Sequence, residues 1–380
     1  MKKIKVMTIF GTRPEAIKMA PLVNELKKDD QIETIVCVTA QHRQMLDQVL
    51  RIFKITPDYD LNIMKERQTL ADITSDVLRG IINVINDCKP DIVLVHGDTT
   101  TTFAGALAAF YSKVRIGHVE AGLRTYDKYS PYPEEMNRRL TGNLADIHFC
   151  PTENNKNNLL KENISESGIY ITGNTVIDAL KTTVSNSYVF QSDVLKNLDF
   201  TKKVILVTAH RRENLGEPLK NILTAIKQVA EEYKEVEFVY PVHLNPAVSG
   251  PAQELLGNSE RVHLIEPLNV QELHNLMDRC YMVMTDSGGL QEEAPALSKP
   301  VLVLRQETER PEAVEAGTVR IAGTETEKIV EMTKLLLDNQ EEYDKMHKAA
   351  NPYGDGKASQ RIIQAIKFYF GVAEEPPVEF

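Results

Sequence analysis

Asp98 follows the apolar run DIVLVHG, Glu120 follows VRIGHV, and Glu134 opens a helical stretch after Pro133 in HVEAGLRTYDKYSPYPEEMNRRL. Three carboxylates gathered near an anionic ligand repel it unless they have work to do. They can bind a divalent metal, act as acid and base on a sugar carbon, or stabilise a developing cation. Glu135, beside Glu134, reads as favourable charge at a helix start.

A second set suits an anion. Ser287-Gly288-Gly289 follows the run YMVMTD and precedes a helix. Such a turn offers free backbone N–H groups at a helix N-terminus, and its glycines allow a phosphate close. Arg13, Lys18, His210 and Arg310 are candidate cationic partners of a diphosphate. Glu292 and Glu293 come early in the helix after the glycines. Each can accept hydrogen bonds from ribose hydroxyls or simply complement the helix dipole. Gln41-His42, His96-Gly97, His210-Arg211-Arg212-Glu213-Asn214, His243 and Arg305 also follow apolar runs. No GxGxxG follows a strand, and GxxxxGK[ST], GxSxG and HExxH are absent, which disfavours dinucleotide, P-loop, serine-hydrolase and zinc-protease chemistry.

Placing these residues requires strands that end at one edge. IKVMTIF, IETIVCVTA, DIVLVHG, VRIGHVE, IHFCP and IYITG are expected strands, followed by KVILVTAH, EFVYPVH, RVHLIEP, YMVMTD and PVLVLR. PEAIKMAPLVNELKK, HRQMLDQVLRIF, TLADITSDVLRGIINVIND and NVQELHNLMDRC are expected helices between them. Near-continuous apolar strands separated by amphipathic helices predict an α/β chain with parallel sheets covered on both faces. The polar stretch 181–203 breaks the rhythm near the middle. Two doubly wound Rossmann-like domains are expected, 1–175 and 176–360, with a cleft between them. The helix at about 360–380 is free to pack back on the first domain, and the tail VAEEPPVEF is expected to fray.

The 380 residues carry a net charge of −10, with 42% hydrophobic and 26% charged residues, which disfavours nucleic acid as the main partner. No apolar run approaches the roughly 20 residues of a membrane helix. The start MKKIKVMTIF reads as a strand, not a signal peptide. Four dispersed cysteines without a CxxC pair fit a reducing cytoplasm and no structural zinc.

GTRPEAIKMAP, TAQHRQML, HGDTTTTFA, GHVEAGLRT, PEEMNRRL, TGNTVIDAL, TAHRRENLG, YPVHLNP, TDSGGLQEEAP and ERPEAVEAGT occur in this order. Together they resemble the non-hydrolysing bacterial UDP-N-acetylglucosamine 2-epimerases, from about residue 4 to NPYGDGKAS near residue 359. Residues 181–200 match least. The resemblance implies the glycosyltransferase-B fold, with UDP held by the C-terminal domain. It implies interconversion of UDP-N-acetylglucosamine and UDP-N-acetylmannosamine for cell-envelope polysaccharides, without cofactor or metal. The implied route is elimination of UDP to 2-acetamidoglucal and re-addition with a proton on the opposite face of C2. Asp98, Glu120 and Glu134 match the catalytic acidic positions, and His210 a histidine near the diphosphate. Arg13 and Lys18 match substrate-binding positions. Ser287, Gly288 and Gly289 match the phosphate turn, Glu293 the ribose-binding glutamate, and Arg310 the arginine of ERPE. Gln41, Gln44, Arg67 and His243, with Arg211, match positions linked to activation by substrate at a second site. The implied assembly is a homodimer. A UDP-sugar glycosyltransferase of the same fold, a hydrolysing epimerase and a nucleotide-sugar sensor are the competing readings.

Overall fold

The apolar runs become strands because β-branched and apolar residues at successive positions can be buried on both faces of a sheet. The computed structural model describes residues 3–41, 43–65 and 67–380. It divides into two compact units, one holding the chain up to Thr182 together with Tyr353–Phe380, the other Thr183–Pro352.

The first unit contains β1 (Ile4–Phe10), β2 (Ile32–Val38), β3 (Tyr59–Asp60), β4 (Ile92–His96), β5 (Arg115–Val119), β6 (Ile147–Cys150) and β7 (Ile169–Ile171). They form one sheet in the order β3-β2-β1-β4-β5-β6-β7. Every pairing in it is parallel. Alternation along β1 sends Val6 and Phe10 to one core and Met7 and Ile9 to another, so helices cover both faces. Each such side chain, fully buried, contributes about 1.5–3 kcal/mol.

The second unit contains β8 (Lys203–Thr208), β9 (Val236–Pro241), β10 (Val262–Ile265), β11 (Met282–Thr285), β12 (Val301–Val303) and β13 (Val319–Ile321). Their order is β10-β9-β8-β11-β12-β13, again all parallel. In both sheets the first strand lies inside, and the chain winds outward one way and then the other. The switch points are therefore β1/β4 and β8/β11, where crevices open beyond the carboxyl ends.

Two parts depart from expectation. β3 and β13 were not anticipated, being two and three residues long with a charged residue in each. The tail is not frayed. Phe380 N–H donates to Ile171 O at 3.0 Å, Ile171 N–H donates to Glu379 Oε1 at 3.1 Å, and Arg361 Nε donates to Val378 O at 3.0 Å. It docks because β7 is an edge strand whose backbone groups need partners. The helix Ala358–Tyr369 packs Ile362 and Ile366 into the core that holds Met19 and Leu22 of the first helix. The division at Thr182/Thr183 lies slightly beyond the boundary expected at 175/176.

Candidate active site

At the β1/β4 switch point, the loop after β1 turns into the helix Arg13–Leu26. Glu15, buried in its first turn, accepts the N–H of Gly11 at 2.9 Å and of Thr12 at 2.7 Å. Its other oxygen accepts the hydroxyls of Thr99 at 2.6 Å and Thr102 at 3.2 Å. One carboxylate thus joins the loop after β1 to the loop after β4. Thr99 in turn caps the helix Thr100–Tyr111, accepting the N–H of Thr102 at 3.1 Å. Gly11 is needed because a Cβ there would run into Thr39 Oγ1.

Glu120 stands just past β5 with φ of 60°, an uncommon backbone state for a residue with a side chain. It is ion-paired with Lys18, whose helix begins at the β1 loop, and it accepts Asn174 Nδ2 at 3.0 Å. His96 Nε2 lies 3.5 Å away, too poorly placed to complete a hydrogen bond. Burial alone would raise the carboxyl pKa. The Lys18 ammonium, and then His96, outweigh that and hold it well below the usual carboxylate range. Glu120 is therefore a fixed negative charge at neutral pH.

Asp98 follows β4 and is held by Arg138, whose Nη2 donates to Oδ2 at 2.6 Å, while Asn137 Nδ2 donates to its carbonyl at 2.9 Å. Both partners lie on the helix Glu134–Leu144. Glu134 begins that helix, partly exposed, and its carboxylate has no hydrogen bond or ion pair among the described residues. Glu135 is not solvated helix-start charge: it is fully buried. Its carboxylate accepts the N–H groups of Thr125 at 3.0 Å and Tyr126 at 3.1 Å and faces Arg138 Nη1 at 3.3 Å. Glu135 therefore ties down the loop between Glu120 and Glu134. Among the described residues, no group of three His, Cys, Asp or Glu side chains is arranged to hold a metal ion.

In the second unit, Asp286 organises the β8/β11 switch point. It is completely buried after β11. It accepts the N–H groups of His210 and Arg211, each at 2.8 Å, and Asn214 Nδ2 at 3.0 Å. His210 Nδ1 lies 3.2 Å from its other oxygen. Burial opposes ionisation of Asp286, but these contacts, led by His210, leave its pKa below the usual value. The half-exposed His210 ring packs edge-on against His243 with centroids 5.4 Å apart.

Ser287-Gly288-Gly289 starts the helix Gly288–Ala296, with Ser287 N–H bonded to Thr285 Oγ1 at 2.9 Å. A Cβ on Gly288 would lie 3.5 Å from Arg310 Nη2 and 3.8 Å from Arg211 Nη2. Glycine thus keeps open a space bordered by two guanidinium groups at a helix N-terminus, which suits phosphate. Glu292, buried, is ion-paired with Arg310. Glu293 meets His274 Nε2 at 3.2 Å. Next along this edge, a cleft of about 760 Å³ opens beyond β9 and β10, lined among others by His243, Leu244, Glu266, Leu268 and Ser192.

The remaining candidates are spread out. Gln41 accepts the Thr101 hydroxyl at 3.2 Å, Gln44 is exposed on the helix Arg43–Ile52, and Arg67 is exposed with φ of 57°. Arg13 opens its helix at the β1 loop. His42 lies outside the described residues. Sequence reasoning passed over Glu15, Arg138, Asn174, Asp286 and His274 as organisers. Thr12-x-x-Glu15 carries a capping spacing that could have exposed the first. The others act across long stretches of chain and leave no local signal.

Residues 24–367 match the family model described as UDP-N-acetylglucosamine 2-epimerase. The UDP-N-acetylglucosamine 2-epimerase of Bacillus subtilis is 60% identical over 380 residues, covering 100% of this chain and 99% of its own. The solved S. aureus MnaA–UDP complex is 53% identical with a TM-score of 0.90, covering 100% of both chains. The Neisseria meningitidis enzyme, solved bound to UDP-GlcNAc, is 53% identical with a TM-score of 0.87, covering 96% of this chain and 99% of its own.

Proposed function

The chain belongs to the UDP-N-acetylglucosamine 2-epimerase family, and on that premise we propose that it interconverts UDP-N-acetylglucosamine and UDP-N-acetylmannosamine without hydrolysis. The observation that carries the chemistry is the carboxylate set of the first unit: Glu120 kept ionised by Lys18, Asp98 aimed by Arg138, and Glu134 without a partner among the described residues.

The second unit binds UDP. The diphosphate lies over Ser287-Gly288-Gly289 against Arg310, Arg211 and His210, and Glu293 accepts the ribose hydroxyls. The base occupies the cleft beyond β9 and β10, whose size is that of a nucleoside pocket. Arg13 and Lys18 of the first unit are substrate-binding cations, and Lys18 also serves Glu120.

The C2 proton is weakly acidic, because no carbonyl is bonded to that carbon. Early cleavage of C1–O therefore helps, placing cationic character on the ring that Asp98, Glu120 and Glu134 stabilise. The bonding pair of C1–O leaves with UDP, and a carboxylate removes the C2 proton to give 2-acetamidoglucal. Re-addition of UDP at C1, with a proton delivered to the other face of C2, completes the epimerisation. Cations at the phosphate turn stabilise the departing UDP.

The protein works as a cytoplasmic homodimer feeding cell-envelope polysaccharide synthesis, with Gln41, Gln44, Arg67, Arg211 and His243 tuning it to substrate level. Free cysteines suit a reducing compartment, and the exposed Phe110 and Tyr111 rings suit a contact between copies. Incubation with either UDP-sugar, followed by chromatography, should give the same mixture of the two epimers. Stoichiometric release of free N-acetylmannosamine and UDP would instead mean hydrolysis.

A further inference from the structure

We infer that His274 is a positioning residue that fixes the carboxylate of Glu293 toward the ribose of the nucleotide. The inference rests on the proposed ribose-binding role of Glu293. His274 lies on the helix Val270–Arg279 and is almost completely buried. Its Nε2 is 3.2 Å from Glu293 Oε2, and its Nδ1 is 2.7 Å from Thr183 Oγ1. The ring thus turns Nε2 to the carboxylate at ion-pair distance and is hydrogen-bonded through Nδ1 to the threonine hydroxyl. The carboxylate can only accept, so it favours the ring proton on Nε2, and the Thr183 hydroxyl, able to donate or accept, then donates to Nδ1 and holds the ring's orientation.

The ring cannot drift, because its helix is strapped to the chain entering this unit. Asn275 Nδ2 donates to Thr183 O at 2.7 Å, and Asn275 Oδ1 accepts Ser185 N–H at 2.9 Å. Glu272 Oε1 accepts the N–H groups of Gln191 at 2.7 Å and Ser192 at 3.0 Å. At the other end, Arg279 Nη2 donates to Tyr188 O at 2.7 Å and its guanidinium stacks 4.8 Å from the Phe190 ring. The poorly matched segment after residue 182 thus has a task, which is to hold the helix that aims Glu293. Glu293 Oε1 lies 3.4 Å from where a Cβ on Gly289 would be. The carboxylate held by His274 therefore reaches over the phosphate turn, where a ribose next to the diphosphate would sit.

The test is discrimination between UDP and 2′,3′-dideoxyuridine 5′-diphosphate, measured by calorimetry on the full chain. A carboxylate bonded to ribose hydroxyls favours UDP by about 10- to 100-fold. Glu293→Ala should abolish that preference; if the preference survives, the ribose role of Glu293 is wrong. His274→Phe should also abolish it, while His274→Gln, which keeps a donor near the Nε2 position, should retain most of it. General distortion would weaken both ligands together and leave the ratio intact. A normal ratio in His274→Phe, with the ratio lost in Glu293→Ala, overturns the role of His274 alone. If His274→Phe does not fold, Thr183→Val decides. Removing the hydroxyl that holds the Nδ1 edge of the ring should lower the ratio about threefold, and an unchanged ratio overturns the inference.

Discussion

Glu120 illustrates how much of a proposed catalytic role is set by neighbours. Its carboxylate is held ionised by Lys18 and then His96, and Asn174 also donates to it, each from a different part of the first unit. The sequence places it at a strand end beside Asp98, and nothing in its local context reveals the ion pair. Glu135 is the converse: adjacent to Glu134 and similar on paper, it is buried as the anchor of the intervening loop. A change of Glu120 to Gln preserves shape and removes the charge. Turnover should fall by about 10²–10⁴-fold, the usual weight of a positioned acid or base, while calorimetric affinity for UDP changes little. Wild-type turnover in that variant would remove Glu120 from the chemistry.

At the level of strands and helices, the sequence was legible where apolar runs were long. The eleven anticipated strands are present, and the site residues follow their carboxyl ends because parallel winding puts those ends on one edge. β3 and β13 were hidden because two or three residues carry no periodicity. The docked tail was hidden because it answers the needs of an edge strand far away in sequence. The same sheet carries a pH liability. His118 on β5 and His148 on β6 are register partners, both buried. Burial pushes His118 down to about 3 and His148 down to about 4, from an ordinary 6.5. Below pH 6.5 the unfolded chain takes up protons that the folded chain refuses. Their contribution is thus complete above pH 6.5 and shrinks as pH falls, by about 1.4 kcal/mol per pH unit for each histidine. In urea denaturation, the stability gap between wild type and His148→Gln should narrow at that rate from pH 6.5 to about 4.5. A gap independent of pH would mean that His148 takes up its proton in the folded state.

For the molecule as a whole, function was legible because many short motifs fall in one order along nearly the entire chain. The hub residues were not: Glu15, Asp286 and His274 bind loops 76 to 91 residues away, so spacing cannot announce them. Both units use one device, a buried carboxylate that gathers backbone N–H groups at a switch point and fixes the loops there. The proposed division of labour gives UDP to the second unit and proton chemistry on C2 to the first. Breaking the C2–H bond is the step that sets this reaction apart from glycosyl transfer, hydrolysis and simple binding. Incubation with UDP-N-acetylglucosamine in D2O, followed by NMR, reads it directly. Deuterium at C2 in both epimers, with the UDP-sugars intact, is the expected result. Epimers that keep protium at C2, or an unchanged substrate, would contradict the elimination route at its central step.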